Sequence, residues 1–220
     1  MNKIIKDACI LFAITLVAGI VLGAVYNITK GPIAEQNEKA KQTAYREVLS
    51  DADSFEAIDS EKYSEANLAA FVSGLKDTEE DFSKDEVTDV VAGVKNGKIV
   101  GFVITVVAGD GYGGDIKFST GISSDGKYMG TSILSISETA GLGMRAKTDP
   151  AFLAQFNGAS VDKFTVVKDG TGSSSEDKID AIGGSTVTSK AVTKGINTAL
   201  AVFKELKSEN VKTVGGASIE

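Results

Sequence analysis

The chain has 220 residues, a net charge of −7, a single cysteine, and neither histidine nor tryptophan. The absence of histidine excludes a Ser-His-Asp or Cys-His catalytic centre and any histidine-ligated metal, and one cysteine excludes an internal disulfide or a cysteine-cluster metal site. After residue 30 the chain carries 20 basic and 29 acidic side chains, and this negative balance argues against nucleic-acid binding.

The first predicted element is a membrane-spanning helix at residues 8–29, which follows a short segment at residues 1–7. These 22 residues contain no charged side chain. As a helix they would extend about 33 Å at 1.5 Å per residue, which matches a hydrocarbon core of about 30 Å. No Ala-x-Ala cleavage site ends the apolar run, so we expect a retained anchor rather than a signal peptide.

A membrane-proximal segment is predicted at residues 30–86. Pro32 suits the first turn of a helix, and the spacing of apolar residues predicts an amphipathic helix at 33–49. The acidic remainder is expected to be partly loop, with a short helix near residues 66–73.

Strand patterns begin at Val87. Four runs rich in β-branched residues predict strands at 87–94, 99–107, 116–122 and 128–136. Asn96-Gly97 and Asp125-Gly126 fall between successive runs and predict two hairpins.

Helices follow the strands. Asp149-Pro150 predicts the start of a short helix that continues to Phe156, residues 164–167 predict a strand, and residues 190–206 predict a long helix. Residues from Lys207 onward are expected to be frayed, with a tail at 209–220. Strands followed by helices predict an α+β domain with an antiparallel sheet at residues 87–208.

The stretch Asp180–Val192 is the strongest candidate for a site. Gly183 and Gly184 precede a cluster of hydroxyls that begins the long helix, and a helix N-terminus with free N–H groups favours phosphate. The alternative is structural, with the glycines making a turn and Ser185 or Thr186 capping the helix.

Other motifs carry less weight. Residues 141–146 fit Gly-x-Gly-x-x-Ala, but a dinucleotide fold needs a parallel strand and an opening helix there. Ser175 and Lys178 have Ser-x-x-Lys spacing, but a polar loop does not desolvate the lysine. Three loops rich in glycine and hydroxyls, at 109–114, 137–144 and 182–189, together predict a concave small-molecule site.

These loops resemble those of a known family, the G subunits of Rnf respiratory complexes, which are related to the C subunit of the sodium-pumping quinone reductase. The stretch Asp180–Thr186 resembles the motif Asp-x-x-(Ser/Thr)-Gly-Ala-(Thr/Ser), with Gly183 and Ser185 as departures. Residues 111–116 resemble Gly-Tyr-Gly-Gly-x-Ile, and residues 138–143 resemble Glu-Thr-Pro-Gly-Leu-Gly, with Ala140 in place of proline.

The resemblance implies FMN joined through its phosphate to Thr186, with Ser185 and Thr188 as rival acceptors. It also implies that eight further residues contact the cofactor: Tyr112, Glu138, Thr139, Gly141, Leu142, Gly143, Gly184 and Ser185. It implies no catalytic residue and no metal ligand on this chain.

The implied role is that of an electron-carrying redox subunit in a membrane complex. The complex would pass electrons from ferredoxin to NAD and export Na⁺ or H⁺. The implied partners are the other subunits, a flavin transferase and the lipid bilayer. The FMN domain would lie outside the cytoplasm and residues 1–7 inside it.

Two hypotheses of other classes stay open from the residues alone. One is a membrane-anchored extracytoplasmic module that binds a small molecule without redox chemistry. The other is an anchored Ser-Lys hydrolase that uses Ser175 and Lys178.

Overall fold

The computed structural model describes residues 2–75 and 81–219, which divide into two units between Gln42 and Thr43. Met1, residues 76–80 and Glu220 belong to the predicted segments 1–7, 30–86 and 209–220 and lie outside the described residues.

One helix, α1, begins the chain and runs from Asn2 to Val48. It is long and apolar enough to cross a membrane. The hydroxyls of Thr15 and Thr29 and the amide of Asn27 donate to carbonyls one turn earlier, at 3.1, 2.9 and 3.0 Å. These three polar side chains therefore donate hydrogen bonds within the helix, as a lipid environment favours.

The predicted helix start at Pro32 is wrong, because α1 continues through this residue. Proline removes one backbone hydrogen bond and disfavours a helix interior by about 3 kcal/mol. The residues after Pro32 are mostly alanine, glutamate, lysine and glutamine, which are strong helix formers. Their helix propensity offsets the cost of the proline, so the helix continues past it.

The second unit is built on a five-stranded antiparallel sheet in the order β1-β2-β3-β4-β5. Its strands are β1 (Ser54–Ala57), β2 (Asp85–Lys95), β3 (Lys98–Ala108), β4 (Ile116–Ser123) and β5 (Tyr128–Ser135). The four predicted strands are confirmed, whereas β1 was not predicted because it is short and lies in an acidic stretch. The α+β class is confirmed.

Both predicted hairpins are present. Asn96 and Gly97 have φ of +52° and +76°, which are the left-handed values that a two-residue hairpin turn requires. Gly126 has φ of +97° in the turn between β4 and β5.

The long helix α5 (Thr186–Ser208) packs across the middle of the sheet. Gly195 allows close approach, because a Cβ there would lie 2.8 Å from the Phe118 ring and 3.1 Å from Cβ of Ala108. Because α5 is fixed against β3 and β4, its first turn has a defined place at one end of the sheet.

Shorter elements complete the unit. These are α2 (Glu65–Gly74), α3 (Arg145–Thr148), α4 (Pro150–Ala154), two 3-10 turns (Glu61–Tyr63 and Gly172–Ser174), and a parallel pair of β6 (Thr165–Val167) with β7 (Lys178–Asp180). Asp149 caps α4 by accepting the Ala151 N–H at 3.1 Å, as its position before Pro150 predicts.

The prediction of a frayed end from Lys207 is wrong. Val211, Thr213 and Ala217 are buried, and Thr213 forms a bridge with Ile58 beside β1. The Thr213 hydroxyl also donates to the Glu56 carboxylate at 2.6 Å. This segment pairs with β1, and because β1 was not predicted, its partner could not be predicted either.

Candidate functional site

The Ser189 side chain stabilises the turn that precedes α5 through two hydrogen bonds. Its buried hydroxyl accepts the Ile182 N–H at 2.9 Å and donates to the Ser185 carbonyl at 3.0 Å. The Ser185 N–H donates to the Ile182 carbonyl at 2.9 Å, and Gly184 has φ of +78°, which L side chains rarely adopt. The turn is therefore held in one conformation by its own residues.

The start of α5 has unused hydrogen-bonding capacity. Ser185 is at the N-cap position, yet its side chain makes no capping hydrogen bond. Its hydroxyl oxygen is buried and has no partner within residues 2–75 and 81–219. The first N–H groups of any helix lack intrahelical acceptors. The structural alternative, in which Ser185 caps the helix, is therefore wrong for this side chain.

A tight turn in the loop that precedes α3 brings Leu142 to α5. The Thr139 carbonyl accepts the N–H groups of Leu142 and Met144, both at 3.1 Å. Gly141 has φ of +75°, the value that the third position of a type II turn requires. A Cβ placed on Gly184 would lie 3.3 Å from Cδ2 of Leu142, so this loop and the turn before α5 are in contact.

Glu138 joins the third loop to the other two. Its carboxylate is buried and accepts the N–H groups of Tyr112 and Gly113, at 2.7 and 3.2 Å. A Cβ on Gly143 would lie 2.5 Å from both Oε2 of Glu138 and Oγ1 of Thr188. Glu138 therefore positions the Tyr112 loop beside the first turn of α5.

Together the three loops line a cleft of about 650 Å³. Its mouth carries three exposed apolar side chains, since Tyr112 is 75% exposed, Leu142 45% and Val187 50%. The cleft combines an apolar rim with the polar start of α5. The lining consists of Tyr112, Glu138, Thr139, Leu142, Gly143, Gly184, Ser185, Thr186, Val187 and Thr188.

The structure brings together all but one of the nine site residues predicted from the sequence. Gly141 is the exception, because it shapes the turn and does not line the cleft. Val187 lines the cleft and was not predicted. In the sequence, Val187 could have been recognised as an apolar residue directly after Thr186, the first residue of the helix.

Asp180 lies outside this cleft and has a structural role. Its carboxylate accepts the Gly172 N–H at 3.0 Å, and the side-chain amide of Gln155 pairs with both its N–H and its carbonyl, at 2.8 and 3.2 Å. Asp180 and Gly183 line a separate cavity of about 720 Å³. The motif residues are therefore divided between two surfaces of one turn.

The weaker motifs are not supported by the geometry. The Ser175 hydroxyl donates to the Asp177 carboxylate in an exposed loop. Residues 141–146 follow an antiparallel sheet through a turn, rather than joining a parallel strand to a helix.

The comparisons with known proteins agree with this site. A family model described as an FMN-binding domain matches residues 111–201, which contain every residue that lines the cleft. A second model, described as the RnfG N-terminal region, matches residues 1–48. The fold and the cleft thus define an FMN-binding domain preceded by an apolar helix.

Relatives similar over almost the whole chain define the family. The G subunit of the Na⁺-translocating ferredoxin:NAD⁺ oxidoreductase complex of Acetobacterium woodii is 36% identical over 92% of this chain and 93% of its own. The G subunit of the proton-translocating complex of Clostridium ljungdahlii is 33% identical over 89% and 92%. The chain belongs to the family of G subunits of ion-translocating oxidoreductase complexes.

The fold is shared with a solved structure. The crystal structure of Shewanella oneidensis NqrC matches with a TM-score of 0.53 and 18% sequence identity, and the match covers 80% of this chain and 99% of that one.

The cleft fits FMN on its own chemistry. The helix start and the orphaned Ser185 hydroxyl offer hydrogen-bond donors to a phosphate. The apolar rim of Tyr112, Leu142 and Val187 suits an aromatic ring system.

Proposed function

We propose that the chain is an electron-carrying subunit of a membrane-bound, ion-translocating ferredoxin:NAD oxidoreductase and holds FMN by a phosphoester to Thr186. The observation that carries this proposal is the single cleft in which three separate loops meet around the first residue of α5. The names of the relatives support the assignment to such a complex.

Thr186 suits the role of acceptor by its position. It is the first residue of α5, is partly exposed and lines the cleft. A flavin transferase would supply FMN as a phosphoanhydride. Oγ1 of Thr186 would bond to the phosphorus of FMN as the anhydride bond breaks, and the hydroxyl proton would pass to solvent with the departing phosphate group. The helix N–H groups and the Ser185 hydroxyl would then hold the phosphate oxygens.

FMN would supply the chain with one- or two-electron transfer. The protein's part is to bind and orient it. Leu142, Val187 and Tyr112 would exclude water from the ring, and Glu138 would keep the Tyr112 loop in place through the two N–H groups that it accepts. Attachment through the phosphate leaves the ring chemically unchanged.

The acceptor is tested by co-expressing the chain with a flavin transferase. We expect one FMN per chain by intact mass and flavin fluorescence in a denaturing gel, and loss of both in Thr186→Val. Ser185→Ala and Thr188→Val are the matched controls, because each removes a rival hydroxyl from the same turn. Covalent flavin in Thr186→Val, or its loss only in a control, would refute the assignment. Colourless wild-type protein would favour a binding module without redox chemistry.

We also propose that α1 anchors the chain with the FMN domain outside the cytoplasm and residues 1–7 inside it. The apolar stretch of α1 supports the anchor. A C-terminal alkaline phosphatase fusion should be active and a C-terminal green fluorescent protein fusion dark. The reverse pattern would place the domain in the cytoplasm.

A further inference from the structure

A second cavity lies beside α5, next to the cleft. It has a volume of about 670 Å³ and opens between α5 and the strand β6. Val187 lines both spaces, so the two are neighbours that share one wall. None of the sequence motifs accounts for this cavity.

One wall of the cavity is rigid and apolar. Phe164 and Ala191 line it together with Val187. The buried side-chain amide of Asn197, further along α5, binds both backbone groups of Phe164, accepting its N–H at 2.8 Å and donating to its carbonyl at 3.0 Å. The strand edge is thus fixed to α5, and the wall is preformed rather than assembled by a ligand.

The lining of the cavity is also cationic, although the chain as a whole is acidic. Three lysines (Lys163, Lys190 and Lys194) and one aspartate, Asp110, line the cavity. The Lys194 ammonium lies 2.6 Å from Asp110, and this hydrogen bond lowers the pKa of that carboxyl, so the pair stays ionised. Asp110 is also bound by Lys84 at 2.8 Å, and the Lys194 ammonium lies 3.9 Å from the buried carboxylate of Asp85.

A buried donor also lines this space. Thr193 is 3% exposed, and its hydroxyl oxygen has no hydrogen-bond partner in the described part of the chain. A buried hydroxyl without a partner is unfavourable, and an acceptor on a ligand would relieve it. Lysine ammonium groups, a hydroxyl donor and apolar side chains that line one cavity are the complement of an amphiphilic anion.

We propose that this cavity is a second ligand site, which binds a small organic anion: a carboxylate or phosphate monoester that carries an apolar ring or short chain. Lys190, Lys194 and Thr193 hold the anionic head. Phe164, Val187 and Ala191 contact the apolar body. The site is separate from the cleft at Thr186, and its occupancy does not depend on FMN.

The test is calorimetric titration of the full chain in neutral detergent, with micelles alone as the blank. The probes are phenyl phosphate, benzoate and neutral benzyl alcohol. We expect 1:1 binding of at least one anion and none of the alcohol. The tighter of the two anions shows whether the site prefers a phosphate or a carboxylate head group. Flavinylated protein should bind equally well, because the cavity does not include Thr186. The empty cleft would itself accept phenyl phosphate, so binding that is retained when FMN fills the cleft locates the anion in the second cavity.

Matched variants locate the binding. Lys190→Gln should weaken it about tenfold or more, because a charge-assisted hydrogen bond is lost. Thr193→Val should also weaken it without lowering the melting temperature of the ligand-free chain. Lys204→Gln is the control, since Lys204 lies on the same helix and pairs with exposed Asp162. Equal affinity in Lys190→Gln and Lys204→Gln, binding of neither anion, or binding that flavinylation abolishes would overturn the proposal. Absence of FMN by mass would instead count against the Thr186 assignment.

Discussion

Replacing Gly143 by alanine should damage the cleft more than its size suggests. The new methyl would lie 2.5 Å from both Oε2 of Glu138 and Oγ1 of Thr188, and 2.9 Å from Cβ of Glu138. Glu138 cannot simply move away, because its carboxylate is buried and accepts two backbone N–H groups from the Tyr112 loop. The overlap must therefore separate that loop from α5.

The size of the effect follows from overpacking. An extra methyl group in a well-packed region destabilises by about 1–3 kcal/mol. For a domain of this size each 1 kcal/mol lowers the melting temperature by about 2–4 °C, so a fall of roughly 2–12 °C is expected. The matched control is Gly183→Ala, because a Cβ on Gly183 would meet nothing within 4 Å in the part of the chain that the structure describes, and its φ is not in the left-handed region. That control should be neutral or slightly stabilising.

The assay is thermal unfolding of the full chain, followed by tyrosine fluorescence, with the FMN content of each variant measured by intact mass. Gly143→Ala should lose both stability and flavin, while Gly183→Ala keeps both. Unchanged melting and full flavinylation in Gly143→Ala would refute the close packing of Glu138 and Thr188 around this glycine. Equal damage in both variants would show that the turn before α5, rather than Glu138, limits the cleft.

Three further substitutions test individual groups by chemical unfolding. Glu138→Gln weakens two charge-assisted hydrogen bonds and should destabilise the chain by about 1 kcal/mol, with partial loss of flavin; unchanged unfolding would argue against a positioning role. Ser185→Ala removes a buried hydroxyl that has no hydrogen-bond partner among the described residues, and it should stabilise flavin-free protein by about 1 kcal/mol. This gain in stability should be smaller in flavinylated protein, because the hydroxyl then donates to the phosphate. Burial raises the pKa of Asp85, so stability that is present at low pH is lost as the pH rises through the raised value. Asp85→Asn should therefore gain stability relative to wild type as the pH rises from about 4 to about 8, and a constant difference would contradict this.

The central sheet could be predicted because its signals are local. Asn96-Gly97 and Asp125-Gly126 stand between β-branched runs, and each hairpin is specified within about twenty residues. The strand β1 and the C-terminal segment around Thr213 could not be predicted in the same way. They pair across more than 150 residues, and neither run is long enough to be recognised without its partner.

The cleft was predicted only in part for a related reason. Glycines and hydroxyls mark the three loops in the sequence, but the contact that assembles them is a long-range one made by Glu138. Asp180 shows the converse. It belongs to the same motif as Thr186, but it does not line the cleft, and its carboxylate accepts the Gly172 N–H. A sequence motif predicts which residues lie in one turn, but it does not predict which surface of the turn each side chain lines.

The two departures from the family's motif have different physical consequences. A Cβ on Gly183 would meet nothing within 4 Å among the described residues, so the missing side chain removes no close contact there and alters what an approaching enzyme would meet. Ser185 does the opposite, because it adds a hydroxyl that is buried at the helix start and unsatisfied within the described residues. A protein retains such a group at a cost to stability unless something else bonds to it. The Ser185 hydroxyl is therefore a further argument that the start of α5 is built to hold an acceptor such as a phosphate oxygen.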